Sequence, residues 1–156
     1  MIRSIVITPE ARQSFIEETL KFKKLETGGV LCGSYQGDQL VVTSASGPGP
    51  DAVHAIDEFI IDKDYMDAYL DAQYDQSGGM HIYIGEWHTH PQVNPEPSEQ
   101  DLISICERSI EWQHGEIVFL IIGFLNFSAD SLAKQIFGIH YDKEKQSFYQ
   151  LPIQIQ

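Results

Sequence analysis

The stretch GEWHTHPQVNPEPSEQD, residues 85–101, carries two histidines, three prolines, a serine and an aspartate. The segment 80–90 that leads into it, MHIYIGEWHTH, has the apolar character of a β-strand. At the other end, Ser98 and Asp101 have the spacing of a capping box, which predicts a helix that begins after Ser98. The stretch therefore predicts a strand, a stiff loop and a helix whose first turn comes back over the strand end.

His88 and His90 are separated by one residue of the predicted strand. Because successive side chains of a strand alternate between its faces, both imidazoles project from one side and can reach a single ion. Thr89 points to the other side. Histidine pairs of this kind arise easily by chance, so on its own the pair favours a structural role. A metal site requires a third ligand.

Asp101 is the candidate for that third ligand. It lies eleven residues after His90, in the first turn of the predicted helix. Three protein ligands with a fourth position left for water are typical of catalytic zinc sites, where the ion lowers the pKa of water toward about 7. Alternatively, Asp101 only caps its helix. The two roles are compatible, because a capped helix end is a rigid place for a ligand.

Hydrolysis at such a site also requires a group that accepts a proton from water and donates it to a leaving amine, and a carboxylate is the usual choice. Glu86 lies only two residues before His88 on the same strand, too close to face the open side of an ion. Glu26, in LETGGVLCG, lies at a helix-to-strand junction, and the paired glycines after it allow close backbone approach. Without further information, the residues support Glu26 only weakly.

The chain before residue 80 predicts intermixed helices and strands. Thr8 caps a helix that begins at Pro9 and runs to about Lys24. A second helix, over 62–75, has an acidic face. Its apolar positions are Met66, Tyr69 and Leu70. Extended segments are predicted at 4–7, at 53–61 and on both sides of a turn near 36–38, and the GPGP of residues 47–50 is a loop.

The chain after residue 98 predicts one more helix and two strands. The apolar positions of the helix follow the i, i+3, i+4, i+7, i+8 pattern: Leu102, Ile105, Cys106, Ser109 and Ile110. EIVFLIIGFL, 116–125, predicts a central strand covered on both faces, and AKQIFGIHYD, 133–142, predicts its neighbour. We therefore expect a single α/β domain over 1–156, a mixed sheet with helices packed on its faces.

The composition of the chain limits its partners. Its 156 residues, 42% of them hydrophobic, suffice for one domain with a real core. The formal charge of −13 repels phosphate backbones, so we expect no nucleic-acid partner. The negative charge favours binding to a basic surface of another macromolecule, although solubility alone also explains an excess of acidic residues.

Cysteine content and hydropathy predict a cytoplasmic location. Cys32 and Cys106 have no spacing that suits a thiolate metal site or a disulfide framework, which fits a reducing compartment. No apolar stretch reaches the roughly 18 residues of a membrane span, so we expect no membrane association. Cys32 has no neighbouring base and is interpreted as an inert core residue.

Several other residues of chemical interest have plain structural interpretations. The remaining histidines occur singly and are expected on the surface or with their hydrogen bonds satisfied: His54, His81, His114 and His140. Trp87 and Trp112 are expected to be packing residues, although Trp87, beside His88, is also a candidate for a cleft floor. The proline-rich loop 91–97 is either a connector or a rim for an extended substrate tail.

Together these residues resemble the JAMM (MPN-plus) metalloprotease family. Its motif is an upstream glutamate, then His-Ser/Thr-His-Pro, a serine seven positions later and an aspartate three beyond that. ETGGVLCG and GEWHTHPQVNPEPSEQD contain every element: Glu26, His88, Thr89, His90, Pro91, Ser98 and Asp101. Threonine occupies the slot often held by serine. The resemblance covers most of the chain and implies an MPN/JAMM-like, cytidine-deaminase-like fold, a central mixed β-sheet flanked by helices.

The resemblance implies zinc-dependent hydrolysis of an isopeptide or peptide bond after the C-terminus of ubiquitin or a ubiquitin-like modifier. It implies that His88, His90 and Asp101 hold one Zn²⁺ per chain. It further implies that Glu26 is the general base and then the general acid, and that Ser98 hydrogen-bonds the developing oxyanion. The residues expected to contact the substrate are Trp87, Thr89 and Pro91.

Within the family, the length and ETGGVLCG are similar to bacterial members, some encoded beside E1-like and E2-like enzymes in anti-phage operons. The implied partners are a ubiquitin-like modifier or its protein conjugate, with such E1-like and E2-like enzymes. Two alternatives remain: a protease that trims a linear sulfur-carrier or modifier precursor, and a non-enzymatic interaction module that keeps a structural metal. A zinc nucleoside deaminase is excluded because its P-C-x-x-C element is absent.

Overall fold

The computed structural model describes residues 1–91, 94–124 and 135–156, without the side chain of Phe124. The strands are β1 Ser4–Ile7, β2 Gly28–Gln36, β3 Gln39–Ala45, β4 Val53–His54, β5 Phe59–Ile60, β6 Ile82–Pro91, β7 Val118–Phe124, β8 Ile136–Asp142, β9 Ser147–Gln150 and β10 Ile153–Ile155. The helices are α1 Pro9–Lys21, α2 Lys63–Gln76 and α3 Glu99–Glu111. Parts of three predicted segments lie outside the described residues: Gln92 and Val93 of the loop, Leu125, and residues 133–134.

Among the described residues, eight strands form one sheet in the order β10-β1-β3-β2-β6-β7-β8-β9. β1 is parallel to β10 and to β3, and β6 is parallel to β7, whereas the other neighbours are antiparallel. β4 and β5 pair with each other in a separate two-stranded unit, the β4–β5 hairpin. The mixed sheet with flanking helices confirms the predicted α/β class.

α1 lies against one face of the sheet and supplies part of the larger apolar cluster. Phe15 of this helix packs edge-on against Trp87 of β6, with ring centroids 5.1 Å apart. Thr8 caps the helix as predicted, through a hydrogen bond from the Ala11 amide. α1 ends at Lys21 rather than near Lys24, because the backbone of Phe22 leaves the helical region, with φ −121° and ψ 62°.

β7 is buried on both of its faces. Val118, Leu120 and Ile122 belong to the cluster that contains the α1 side chains. Phe119 belongs instead to the smaller cluster beneath α3, which also contains Ile105. This alternation confirms the prediction of a central strand covered from two sides.

The two later helices match the predicted pattern with one exception. Met66 of α2 is buried, as are Ile105 and Ser109 of α3. Ile110, predicted to face the core, is 52% exposed. It follows Ile105 by five residues, which turns it by about 140° away from the buried line of α3. In the parts of the chain described here, no helix is long and apolar enough to cross a membrane.

Candidate metal centre

The candidate metal centre lies at the end of β6, which pairs with β2 on one side and β7 on the other. His88 stands opposite Gly28 of the antiparallel strand β2 and opposite Ile121 of the parallel strand β7. A Cβ atom added to Gly28 would lie 2.2 Å from the Trp87 carbonyl oxygen. The glycine therefore allows β2 to approach β6 closely, which confirms the role expected for the paired glycines and brings the chain after Glu26 beside the two histidines.

His88, His90 and Asp101 converge at this strand end. His88 Nε2 lies 3.2 Å from His90 Nε2 and 3.2 Å from Asp101 Oδ1. His90 Nε2 lies 2.9 Å from Asp101 Oδ2. Among the described residues, these three form the one group of potential metal ligands whose donor atoms lie within 4.8 Å of one another. The structure thus brings together the three residues that the sequence indicated.

The donor set fits a small divalent cation. A tetrahedral zinc ion with bonds of about 2.0–2.1 Å holds its ligand atoms about 3.3 Å apart, close to the separations found here. His90 Nδ1 lies 3.3 Å from the Asn94 carbonyl oxygen. Donation from Nδ1 to that carbonyl leaves the lone pair on Nε2, directed at the other two ligands, as in histidines that bind metals.

Electrostatic interactions within this group shift the pKa values of Asp101 and His90. Although burial opposes the change, hydrogen bonds from His88 and His90 hold the pKa of Asp101 well below its ordinary value. For His90, burial likewise opposes the change, but the Asp101 carboxylate raises its pKa above the ordinary value of 6.5. Asp101 is therefore an anion throughout the physiological range. It stabilises a positive charge beside it, either a protonated imidazole or a metal ion.

The first turn of α3 fixes Asp101 through the predicted capping box. The Asp101 amide donates to Ser98 Oγ at 3.1 Å, and the Ser98 amide donates to Asp101 Oδ2 at 2.9 Å. The oxygen that faces His90 is thus the same oxygen that caps the helix. Ser98 is exposed, and its hydroxyl contacts Asp101 through this cap.

Glu26 lies between α1 and β2, outside any regular element. Its amide donates to the Ala55 carbonyl at 2.7 Å, and its own carbonyl lies 2.9 Å from His54 Nδ1. Burial raises the pKa of the Glu26 carboxyl, while the nearby His88 acts in the opposite direction. The structure therefore places a half-buried carboxylate with an elevated pKa beside the three potential ligands.

The side chains of Trp87 and Thr89 lie in the interior, on the opposite face of β6. The Trp87 indole, 1% exposed, donates to the Ser46 carbonyl at 3.0 Å. Thr89 is fully buried, and its Oγ1 accepts a hydrogen bond from the Thr27 amide at 3.0 Å. Strand alternation directs both side chains into the core, although Trp87 also borders a cleft beside the centre. The expected contact of these residues with substrate stays a prediction. Pro91, at the end of β6, is also buried.

A cleft of about 400 Å³ opens beside the centre. One wall is the exposed face of α3, and the other is the segment 57–61 that includes β5. Arg108 lines the α3 wall and pairs with Glu86, its Nε lying 3.0 Å from Glu86 Oε1. Sequence reasoning missed Arg108, although its position seven residues after Asp101 places both on one helix face. It also missed the segment 57–61, because no spacing in the sequence connects this segment to the histidines.

The fold is shared with a solved structure. The solution structure of protein DSY2949 from Desulfitobacterium hafniense aligns with a TM-score of 0.69, over 97% of this chain and 92% of that chain. The two sequences are only 16% identical, so this likeness concerns the fold alone.

Residues 8–130 match the family of prokaryotic homologues of the JAB domain, and the chain belongs to this family. The resemblance to the JAMM (MPN-plus) type is thereby confirmed. The chain is similar to the CD-NTase/cGAS isopeptidase of Vibrio cholerae serotype O1, with 36% identity over 65% of this chain and 64% of the relative. It is also similar to the probable metalloprotease y4qB of Sinorhizobium fredii, with 30% identity over 65% of this chain and 63% of the relative. The chain thus spans less than two thirds of either relative.

Proposed function

We propose that residues 1–156 form a zinc metalloprotease domain that hydrolyses the bond after the C-terminus of a ubiquitin-like modifier and releases it from a protein conjugate. Family membership and the relatives' names, isopeptidase and metalloprotease, support the reaction class. The observation that carries the proposal is the convergence of His88, His90 and Asp101 beside the half-buried Glu26.

In this proposal His88 and His90 would hold the ion through Nε2 and Asp101 would hold it through a carboxylate oxygen. Bound zinc would supply a Lewis acid that acidifies water and polarises the scissile carbonyl. Asp101, whose pKa is lowered, stays ionised and balances the charge of the ion. The bond from His90 Nδ1 to the Asn94 carbonyl keeps the imidazole in the orientation that binding needs.

Glu26 takes the proton of the attacking water and later donates it to the leaving amine. A carboxylate performs both steps best when its pKa lies close to the working pH, and burial moves the pKa of Glu26 in that direction. Its backbone hydrogen bonds to Ala55 and His54 hold it in place.

Ser98 donates a hydrogen bond to the oxyanion that develops on the scissile carbonyl. Its oxygen accepts from the Asp101 amide, so the hydroxyl proton remains available for a substrate. The residue also lies at the N-terminus of α3, where the helix dipole favours negative charge. The cap thus orients the donor before substrate arrives.

The proposed substrate is a conjugate between a ubiquitin-like modifier and a target protein. Because relatives are named for CD-NTase/cGAS, we propose a target of that class, with E1-like and E2-like enzymes of an anti-phage operon as further partners in the cytoplasm. Asp57, Glu58 and Glu86 line the cleft, and the whole chain carries −13, which suits a basic modifier surface. The proline-rich loop that follows Pro91 would form a rim for the modifier tail.

The test compares zinc-loaded wild type with Glu26→Gln on two substrates, a lysine-linked conjugate and a linear fusion to the modifier tail. We expect the conjugate to be cleaved by wild type and turnover to fall by at least about 100-fold in the variant. Cleavage of the linear fusion alone would favour precursor trimming. Absence of cleavage of either substrate by wild type, or an unchanged phenotype in the variant, would favour an interaction module.

A further inference from the structure

The loop that carries Glu26 has little regular structure to hold it. α1 ends at Lys21 and β2 begins at Gly28, so Glu26 belongs to neither element. The order of this loop depends on the hydrogen bonds that its backbone makes with other parts of the chain. Among the described contacts, those of Glu26 itself run to the β4–β5 hairpin region, at His54 and Ala55.

His54 is held so that one ring nitrogen faces the Glu26 carbonyl oxygen at 2.9 Å. Its ring stacks on Phe22, with centroids 4.0 Å apart and an interplanar angle of 9°. Phe59 flanks it at a centroid distance of 5.5 Å. Because a carbonyl oxygen only accepts, Nδ1 must carry the proton and donate. The two aromatic neighbours fix the plane of the ring and therefore the direction of that donor.

We propose that His54 is a positioning residue for the reaction: its Nδ1–H fixes the Glu26 peptide and thereby aims the Glu26 carboxylate at the metal centre. This inference rests on the proposed function. His54 acts through Glu26 and does not itself touch the reacting atoms. Displacing a catalytic group by a fraction of an ångström to one ångström costs on the order of 10- to 100-fold in rate, so a single peptide contact has a measurable effect.

Two substitutions at His54 distinguish the effect of its Nδ1–H donor from the effect of its aromatic ring. His54→Phe keeps a flat aromatic ring that stacks on Phe22 but has no donor. His54→Asn loses the ring but presents an amide N–H close to the position of Nδ1. We expect His54→Phe to lower kcat by about 10- to 100-fold with little change in KM. His54→Asn should recover most of that loss. His114→Asn, the same change at an exposed histidine outside the cleft, is the control and should leave kcat unchanged.

Two further readouts distinguish positioning from a general loss of structure. Metal content by native mass spectrometry should stay at one ion per chain in both His54 variants, because the contacts of His54 within the described residues run to Glu26, Phe22 and Phe59 and not to the three proposed ligands. In a Glu26→Gln background, His54→Phe should cause little additional loss, since the group that it positions is already missing.

The inference is overturned if His54→Phe has the kcat of wild type, or if His54→Asn is as impaired as His54→Phe. It is also overturned if the losses caused by His54→Phe and Glu26→Gln are additive. If the proposed function itself is wrong, the experiment gives a different result. In that case neither wild type nor the variants would cleave either substrate, or Glu26→Gln would remain fully active.

Discussion

The Thr27 amide donates to Thr89 Oγ1 at 3.0 Å, and the Thr89 amide donates to the Thr27 carbonyl at 2.9 Å, although 62 positions separate the two residues. This pair joins the residue after Glu26 to the residue between the two histidines. The histidine strand and the Glu26 loop are thereby held at a fixed distance from each other, from the side opposite to the cleft.

Removing the Thr89 hydroxyl should weaken both the fold and the proposed catalysis. Thr89→Val has nearly the same shape but leaves the buried Thr27 amide without its partner, which costs about 1–3 kcal/mol. Thr89→Ser retains the oxygen and serves as the control. We expect the valine variant to have a lower free energy of unfolding in urea and a lower kcat than the serine variant, which loses only a buried methyl group. Equal stability of the two variants would contradict this role.

Ser98 is expected to cap α3 and to donate to the substrate, and two substitutions separate these roles. Ser98→Ala loses the cap at a cost of about 0.5–2 kcal/mol, whereas glycine in the same position costs only a few tenths. Both should lower kcat by about 100- to 1,000-fold if the hydroxyl stabilises the oxyanion. Thermal unfolding and steady-state kinetics measure the two effects. A fully active glycine variant would reduce Ser98 to a capping residue.

Metal affinity should fall as the pH is lowered through the neutral range. The pKa of His90 is raised, so in the metal-free protein the imidazole retains its proton to a higher pH than a free histidine does. A metal must displace that proton, and the competition increases below the raised pKa. Asp101 contributes nothing to this dependence, because its lowered pKa keeps it ionised. Chelator competition between about pH 8 and pH 5.5 measures the effect, and a flat profile would contradict it.

Cys32 should resist alkylation in the native protein. Its side chain is fully buried, and burial raises the pKa of the thiol to about 12, so almost no thiolate exists near neutral pH. In a Cys106→Ser background, iodoacetamide at about pH 8 should label the chain only after denaturation. Rapid labelling under native conditions would show that the β2 region opens readily to solvent.

The position of the three proposed ligands was partly predictable from sequence, because part of it depends on local rules. Strand alternation places His88 and His90 on one face, and the capping box places Ser98, the N-cap of α3, three residues before Asp101. These rules operate over a few residues, whereas the contact of Asp101 with the two histidines crosses the loop between β6 and α3 and depends on tertiary structure. Glu26 had only weak support from its own neighbourhood, and the family motif identified it.

The surroundings of Glu26 were not predictable, because they depend on long-range packing. His54 occurs singly in the sequence, and no spacing connects it to Glu26, 28 positions away. Contact of Trp87 and Thr89 with substrate stays a prediction, made for Trp87 because it adjoins the proposed ligand His88. In a strand, however, adjacent residues face opposite sides, and the alternation that predicted the histidine pair also directs these two side chains inward.

Asp101 Oδ2 accepts from the Ser98 amide while it lies 2.9 Å from His90 Nε2. Fraying of the first turn of α3 therefore withdraws a proposed ligand, and an ion held there opposes fraying. The amide protons of Asp101 and Leu102, which bond to Ser98 Oγ and to the Ser98 carbonyl, become internal reporters of occupancy. Their hydrogen exchange would slow when the ion binds, and the filled fraction could be measured without any substrate.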